Sequence, residues 1–470
     1  MNLKNDFNIE TSLLQTISSE QAYHYNIVPF EANNEYVIFK SDNVSKALKQ
    51  ELEIVLGQKI ELLSESSENI RQYLATNFRQ QNSNKTEDFH YSSDFLEKLL
   101  YSAKNIGSSD IHFESYELKC RVRFRLDGKL KEQFLIPLDE YPVIINKLKI
   151  KAGLDISEKR LPQDGRITVK TNTDEFDIRV SSLPTLHGEK MVLRILSKDA
   201  NHINLEDLGF SNSELRVYKE TIKKPNGIIL ISGPTGSGKT TTLYATLKLL
   251  NDNQTNILTI EDPIEYTLEG INQVQLKENI GLDFASTLRT FLRQDPDVIM
   301  VGEIRDAKTA NMAIRAALTG HLVLSTIHTN SAWATISRLI DMGIPAFLIA
   351  STLNVSVAQR LVRKLCNTCK EESVITDAIF PSNFEIPNSL KTHYRAVGCN
   401  ACYYTGYKDR KAIYEIIPIT KTLIENIKHN DLEIDSYIKE HNIATLKSNA
   451  IELIEKGITS VEEVYALLSD

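Results

Sequence analysis

The chain has 470 residues, of which 41% are hydrophobic and 25% are charged, and its formal net charge is −8. These values are typical of a globular protein with a buried core, and the length predicts about three domains. The excess of negative charge argues against nonspecific nucleic-acid binding as the main function. No apolar run is long enough to cross a bilayer, and the amino terminus lacks the features of a signal peptide. We therefore expect a cytoplasmic protein.

Residues 1–80 contain short strand-like runs beside helix-like runs, which predicts a small α/β module at the amino terminus. The stretch 79–88 that follows contains no apolar residue. A polar segment of this kind is typical of a linker, which we place at residues 81–90.

Residues 91–200 predict a second domain, in which a helix precedes several strands. The runs 121–126 and 176–180 alternate polar and apolar side chains, as half-buried strands do. An Asp-Gly pair begins at Asp127, directly after the first of these runs, and this pair favours a tight hairpin turn. We therefore expect an α/β domain that contains at least one β-hairpin.

Residues 205–470 predict a third domain with a different pattern of secondary structure. Short apolar runs that are typical of buried parallel strands alternate with helical stretches. These runs are Ile228–Ile231, Ile257–Ile260, Val298–Val301 and Leu322–Leu324. A cysteine-bearing segment follows at about 361–412, and we expect helices in 413–470.

A phosphate-binding loop is the clearest motif of the sequence. Gly233–Thr240 has the pattern Gly-x4-Gly-Lys-Thr, follows an apolar strand and precedes a predicted helix at 241–250. The glycines let backbone N–H groups surround phosphate oxygens, and the amino end of the helix adds partial positive charge. Lys239 would contact the β- and γ-phosphates of ATP, and Thr240 would ligate Mg²⁺. The residues that we expect to bind the nucleotide are Gly233, Pro234, Thr235, Gly236, Ser237, Gly238, Lys239, Thr240 and Thr241.

Two further apolar runs end in carboxylates. Val298–Val301 leads to Glu303, which we predict to activate the attacking water; a solvated surface charge is the alternative. Glu261, Asp262 and Glu265 follow another run. Like charges so close together are costly unless a cation shares the site, so this cluster indicates Mg²⁺, and an exposed acidic turn is the alternative.

Taken together, these segments resemble the type II/type IV secretion ATPase superfamily, and most closely its branch of type II secretion motor ATPases and type IV pilus assembly ATPases. The resemblance covers about residues 91–470. Ile257–Glu265 is similar to the family's aspartate box, Leu292–Asp306 to its Walker B segment and Thr319–Asn330 to its histidine box. The resemblance implies a RecA-like P-loop ATPase domain, a PAS-like α/β domain before it, a small amino-terminal α/β adaptor module and a carboxyl-terminal zinc knuckle plus helices.

The resemblance also implies roles for individual residues. Glu303 would be the general base, and Glu261 and Glu265 would belong to an essential acidic loop. His321 and His328 would sense the γ-phosphate, although without the family either histidine fits a packed or surface position.

Four arginines are implied as further phosphate contacts. The segments 109–114, 160–166 and 178–184 resemble the family's second amino-terminal domain, which closes over the nucleotide. Its arginines would stabilise the transferring phosphoryl group together with two arginines of the ATPase domain, and an ordinary surface charge is the alternative for each. These residues are Arg166, Arg179, Arg289 and Arg293, with Arg194 as a weaker candidate.

Two Cys-x2-Cys pairs predict a structural zinc site. Cys366 and Cys369 form the first pair, and Cys399 and Cys402 form the second. Four thiolates make a closed tetrahedral site, which suits a structural metal. The segment resembles the metal module of the assembly and secretion branch, which retraction ATPases usually lack. One departure from the family follows it, since Asp409 stands where glycine is usual.

The resemblance implies a homohexameric motor that hydrolyses ATP and is peripheral on the inner membrane. It would bind a cytoplasmic adaptor protein through residues 1–80 and would act on an inner-membrane platform protein. Type II secretion, type IV pilus assembly and a DNA-uptake pseudopilus all stay open as the machine. Two alternatives come from other functional classes: a nucleic-acid translocase and a scaffold that only binds nucleotide. The acidic net charge disfavours direct nucleic-acid binding. The catalytic positions are all filled, which disfavours the scaffold.

Overall fold

The computed structural model describes most of the chain. The described residues are Ile9, Leu13, 16–17, 19–32, 36–56, 59–77, 95–170, 175–196, 204–388 and 390–469. The linker predicted at 81–90 lies outside them. Within the described part, no helix combines the length and the apolar character that a membrane span requires.

The amino-terminal module is a small α/β unit, as the sequence predicts. Its three-stranded sheet has the order β1-β2-β3, with β1 antiparallel and β3 parallel to the central β2. Ile27, Phe39, Leu52 and Ile70 are fully buried between the sheet and its helices. The elements are α1 (Ser19–His24), β1 (Ile27–Ala32), β2 (Val37–Ser41), α2 (Lys46–Leu56), β3 (Ile60–Ser64) and α3 (Ser67–Asn77).

A six-stranded antiparallel sheet follows, with the order β6-β5-β4-β9-β8-β7. The apolar side chains of its strands pack against two helices on one face, and the other face carries charged side chains. The Asp-Gly turn between β5 and β6 is confirmed, since Asp127 and Gly128 both have positive φ angles, of 46° and 85°. The elements are α4 (Phe95–Asn105), β4 (Asp110–Ser115), β5 (Cys120–Leu126), β6 (Lys129–Ile136), α5 (Tyr141–Ala152), β7 (Gln163–Lys170), β8 (Glu175–Thr185) and β9 (Gly188–Leu196).

A seven-stranded sheet forms the centre of the remaining chain. Its order is β12-β11-β13-β14-β10-β15-β18, and its strands are parallel except for β18 at one edge. Apolar cores lie on both faces, which explains why the predicted runs are continuously apolar. The elements up to β15 are α6 (Asn212–Ile222), β10 (Gly227–Ser232), α7 (Lys239–Leu250), β11 (Ile257–Glu261), β12 (Asn272–Gln275), α8 (Phe284–Phe291), β13 (Val298–Val301), α9 (Ala307–Leu318), β14 (Leu322–Ile327), α10 (Ala334–Asp341), α11 (Ala346–Thr352) and β15 (Leu353–Leu365).

The four cysteines flank a short hairpin-like insertion, and helices end the chain as predicted. β16 and β17 pair antiparallel between the two cysteine pairs, and β18 then returns to the large sheet beside β15. The elements are β16 (Glu371–Val374), β17 (Thr392–Arg395), β18 (Tyr407–Pro418), α12 (Lys421–Lys428), α13 (Asp435–Glu440), α14 (Leu446–Glu455) and α15 (Val461–Ser469).

Asp409 adopts a backbone conformation that glycine favours, which agrees with the glycine that the resemblance implies at this position. Its φ angle is +64°, in the left-handed region that glycine adopts without steric cost. The exposed side chain forms an ion pair with Lys364, at 3.5 Å between Oδ2 and Nζ. An exposed pair of this kind contributes about 0–1 kcal/mol, so it offsets only part of the backbone cost.

We predict that Asp409→Val lowers the free energy of unfolding by about 1–2 kcal/mol, because a β-branched residue resists the left-handed conformation. The free energy of unfolding of Asp409→Gly should stay within about 0.5 kcal/mol of that of the parent chain. Relief of backbone strain offsets both the lost ion pair and the greater entropy of the unfolded chain. Chemical denaturation measures both, with Lys408→Val in the same strand as the control. Equal stability of the valine and glycine variants would contradict the prediction.

Candidate nucleotide and metal sites

The predicted phosphate-binding loop lies between β10 and α7, at the carboxyl edge of the parallel sheet. Gly233 must be glycine, because a Cβ there would lie 2.5 Å from the carbonyl oxygen of Gln359. The buried Lys239 donates from Nζ to the carbonyls of Gly233 at 2.7 Å and Pro234 at 3.0 Å. Thr240 is exposed in the first turn of α7. The loop is therefore curled around its lysine, with the threonine open to a ligand.

Two residues of β15 complete the loop's surroundings, and the sequence analysis did not identify them. The buried Gln359 accepts a hydrogen bond from Thr242 Oγ1 at 2.9 Å, which ties β15 to α7. Arg360 donates to the carbonyl of Asn330 at 2.7 Å, in the segment that follows β14. Their only sequence signal is a Gln-Arg pair inside an otherwise apolar run.

Glu303 follows β13 and lies at the same edge of the sheet as Lys239, separated from β10 by one strand. Burial lowers the pKa of Lys239; the Glu303 carboxylate opposes that shift and the Arg360 charge adds to it. Glu303 Oε2 lies 3.7 Å from His328 Nε2, and Oε1 contacts the guanidinium of Arg305. The structure therefore brings together the predicted base, the phosphate-binding lysine and one of the two predicted histidines.

The acidic cluster after β11 is arranged differently from the expectation of a shared cation. Glu261 is buried and accepts hydrogen bonds from Tyr244 OH, from Thr259 Oγ1 at 2.6 Å and from Gln273 Nε2 at 3.0 Å. Asp262 is exposed, and Glu265 is half-buried and pairs with a residue of β8. Hydroxyl and amide donors and an arginine therefore offset the like charges that the sequence analysis assigned to Mg²⁺.

That residue of β8 is Arg179, which connects the six-stranded sheet to the acidic loop. Its Nη1 lies 3.3 Å from Glu265 Oε2, and its Nη2 donates to the carbonyl of Ile264. Arg166, directly opposite Arg179 in the sheet, instead pairs with Asp177 at 2.5 Å and is largely exposed. Arg194, opposite Arg179 on the other side, pairs with Asp110 at 2.9 Å. Only Arg179 of these three forms a described hydrogen bond to the acidic loop.

The two predicted histidines lie at opposite ends of one strand. His321 precedes β14, whereas His328 follows it, so the strand separates them by about 20 Å. His321 Nδ1 contacts the carbonyl of Ala316 at 2.8 Å. Only His328 therefore lies at the edge of the sheet that carries the predicted phosphate-binding loop, and the γ-phosphate role of each histidine stays a prediction.

Arg289 and Arg293 are exposed near the end of α8. The carbonyl of Gln294, next to Arg293, accepts a hydrogen bond from Asn256 Nδ2 at 2.8 Å, just before β11 begins. That position is the amino edge of the sheet, opposite the phosphate-binding loop. The described hydrogen bonds of Arg293 are local, to the carbonyl of Arg289 and to Thr290, and the phosphate contacts of both arginines stay a prediction.

The four predicted cysteines converge. Sγ–Sγ distances are 3.9 Å for Cys366 and Cys399, 3.7 Å for Cys369 and Cys402, and 3.8 Å for Cys399 and Cys402. A tetrahedron with zinc–sulfur bonds of 2.3 Å has edges of about 3.8 Å, so the donor set and its spacing fit zinc. Backbone N–H groups of Gly398, Cys399 and Gly406 point at the sulfurs, as they do around thiolate ligands. The fifth cysteine, Cys120, is buried elsewhere.

Comparison with known proteins decides the family. The family described as "Type II/IV secretion system protein" matches residues 85–466. The chain belongs to this family. A type II secretion system protein E of Pseudomonas aeruginosa is 45% identical over 81% of the chain and 77% of its own length. A type IV pilus assembly ATPase PilB of Myxococcus xanthus is 39% identical over 99% of the chain and 88% of its own length.

The solved structures of this family agree with the fold. The pilus retraction motor PilT with bound ADP covers 79% of this chain and 96% of its own, with 26% identity and a TM-score of 0.54. The chain is therefore an ATPase of the type II/IV secretion family with a RecA-like α/β fold, as the sequence predicts.

We predict that this family member carries one structural zinc ion that holds the segment 366–406. Cys399→Ser should abolish stoichiometric zinc and expose that segment to protease, because the closed site needs four thiolates. Metal analysis and limited proteolysis with mass spectrometry measure both effects. Cys120→Ser, which removes a buried thiol outside the cluster, is the matched control and should change neither; zinc retained by Cys399→Ser would contradict the assignment.

Proposed function

We propose that this chain is the ATP-hydrolysing motor of type II secretion or of type IV pilus or pseudopilus assembly. The observation that carries the proposal is that Glu303 and Lys239 share the carboxyl edge of the parallel sheet, in a chain of this family. Relatives named for both machines match most of the chain at similar identity. The family thus supports the motor function but leaves both machines open.

In the proposed mechanism, the phosphate-binding loop holds the nucleotide. Backbone N–H groups of Gly236–Lys239 surround the β-phosphate at the amino end of α7, and Lys239 Nζ binds the β- and γ-phosphates. Thr240 would ligate Mg²⁺, which neutralises developing phosphate charge when it is bound. The exposure of Thr240 supports this assignment, since its hydroxyl is free to face the phosphates.

Glu303 is the proposed general base. Its carboxylate is mostly buried and is flanked by cationic or titratable groups of Arg305 and His328, which orient it. From this position it would accept a proton from the water that attacks the γ-phosphate. His328, at 3.7 Å from the same carboxylate, would report the presence of that phosphate.

The arginines divide into two proposed groups. Arg179 would exchange its contact with Glu265 for a phosphate contact as the six-stranded sheet closes, with Arg166 beside it. Arg289 and Arg293 would serve the nucleotide of a second copy, because both are exposed and Arg293 adjoins Gln294, which is bonded to Asn256 at the amino edge of the sheet. Residues that act between copies support a homohexamer, in which each subunit completes its neighbour's site.

The proposed partners follow from the family. Residues 1–80, which precede the matched region 85–466, would bind a cytoplasmic adaptor protein, and an inner-membrane platform protein would receive the movement. The chain would then be cytoplasmic and peripheral on the inner membrane. A DNA-uptake pseudopilus is the alternative machine, and the net charge of −8 disfavours a nucleic-acid translocase.

We predict that Glu303→Gln lowers kcat for ATP hydrolysis at least about 100-fold and leaves the Kd for ATP within about threefold, because it removes the base but not the phosphate-binding groups. A coupled ATPase assay and equilibrium nucleotide binding measure these values.

Asp306→Asn is the matched control for this variant. Asp306 accepts the N–H of Thr309 at 2.8 Å at the start of α9, and asparagine preserves that cap. Its turnover should stay near that of the parent chain. Undiminished ATP turnover in Glu303→Gln would refute the proposed base. Stimulation of the ATP turnover of the parent chain by DNA, but not by membranes, would favour the nucleic-acid translocase.

A pull-down from solubilised membranes identifies the machine. We predict that the full chain captures a membrane-associated adaptor of a secretion or pilus system. A chain lacking residues 1–90 should not capture it, because the proposed docking module is removed. The deletion leaves the ATPase family region almost whole. Mass spectrometry identifies the partner, and ATP binding by the shortened chain shows that it is folded. A partner that stays bound after the deletion would contradict docking through residues 1–80.

A further inference from the structure

Glu415, on β18, is a buried carboxylate that joins two distant parts of the chain. Its side chain is almost inaccessible, and its Oε1 accepts the N–H of Ala332 at 2.8 Å. Its Oε2 accepts the N–H of Leu446 at 3.3 Å. Burial raises the pKa of Glu415, whereas the two N–H donors and the charge of Arg360 oppose that shift. The carboxylate therefore has a partner on each side.

Both donors belong to the amino ends of helices. Leu446 is the first residue of α14, and Ala332 lies two residues before α10 begins. N–H groups at helix amino ends have no partner within the helix and carry partial positive charge. One carboxylate thus joins the start of α14 to the residues just before α10, which are more than 100 residues apart in the sequence.

The first of these helix ends continues a segment that comes from the nucleotide site. We call residues 328–332 the sensing segment, because it starts at His328, which faces Glu303. Arg360 binds the carbonyl of Asn330 at 2.7 Å, and Ser232, the last residue of β10, donates to the carbonyl of Ser331 at 3.3 Å. The segment is therefore fixed to the strand that carries the phosphate-binding loop.

The second helix end belongs to the carboxyl-terminal helices. α14 packs against β18 and α15. A neighbouring bond strengthens this connection, since Trp333 Nε1 donates to the carbonyl of Leu432 at 2.8 Å, between α12 and α13. A shift of the sensing segment has a direct mechanical path to these helices, and Glu415 is its buried link.

We propose that Glu415 is a positioning residue that transmits nucleotide-dependent movement of the sensing segment to helix α14. It acts through Ala332 and Leu446 and touches neither the proposed base nor the phosphate-binding lysine. The inference rests on the proposed nucleotide site and adds a route by which ATP binding reaches the carboxyl-terminal helices. The coupling requires a carboxylate, because a neutral amide offers one acceptor oxygen instead of two.

Hydrogen exchange of the full chain, with and without Mg²⁺ and a nonhydrolysable ATP analogue, tests the proposal. In the parent chain the analogue should change the exchange rate of amides 445–449 by about tenfold, a typical size for coupling between sites. In Glu415→Gln this change should fall below about twofold and kcat should fall about tenfold, while the KM for ATP stays within about threefold.

Two further variants distinguish coupling between the nucleotide site and α14 from a general loss of stability. Leu446→Pro removes the N–H that binds Glu415 Oε2, at a helix position that tolerates proline, together with the buried leucine side chain, and should also abolish the nucleotide effect at 447–449. Glu463→Gln is the matched control, because Glu463 binds Arg363 at 2.8 Å and joins α15 to β15 instead of to the sensing segment. It should keep the nucleotide effect.

A nucleotide effect at α14 that survives in both Glu415→Gln and Leu446→Pro would overturn the proposal. So would a parent chain that binds the analogue and shows no change at α14, or an equal loss in Glu463→Gln. Failure of the parent chain to bind the analogue would instead refute the proposed function, which separates the two failures.

Discussion

Parallel pairing of β10, β11, β13 and β14 is the constraint on which the site depends. The carboxyl ends of parallel strands meet at one edge of a sheet, so the segments that follow these strands become neighbours. In this way Gly233–Thr240, the acidic loop, Glu303 and His328 come together from separate parts of the sequence. The same rule places His321, at the start of β14, on the opposite edge.

Buried charge at this edge is stabilised by groups on neighbouring elements. Tyr244 of α7, Thr259 of β11 and Gln273 of β12 all donate to Glu261, and this network ties the helix of the phosphate-binding loop to the acidic strand end. An unpaired buried carboxylate would be costly, so the donors and the acid depend on each other. Glu261 therefore has a structural role in holding α7 against the sheet, whatever further role it has in catalysis.

Among the described residues, the hydrogen bonds and ion pairs between the six-stranded sheet and the rest of the chain are few, and most of their side chains are half-buried. Arg179 reaches the acidic loop, and Asp127 at the hairpin turn lies 3.7 Å from Arg410 on β18. Lys131 on β6 also donates to the carbonyl of Tyr403, beside the tetracysteine site. The two ion pairs are open to solvent on part of their surface, where such pairs contribute about 0–1 kcal/mol each, so a bound nucleotide can compete with them. This weakness would suit the closing and reopening that we propose for this domain.

The sequence by itself determined the local motifs. The phosphate-binding loop, the Asp-Gly turn, the apolar strands and the cysteine pairs each depend on a few adjacent residues, whose chemistry is independent of the remaining fold. The family resemblance rested on the same motifs, and it correctly predicted the fold class and the ATPase activity.

Tertiary structure decided which motifs meet and which charges are paired. His321 and His328 belong to one continuous motif, yet a strand of six residues separates them. Glu261 looks like an exposed metal ligand, yet three donors from other elements surround it. Gln359 and Arg360 belong to no motif that the sequence analysis identified, and the contacts of Glu415 are not evident from its sequence segment. All three depend on strands that pair across the sheet and on helix ends that converge from distant positions. Long-range pairing of this kind leaves no local periodicity or spacing in the sequence, and for that reason only the folded chain reveals it.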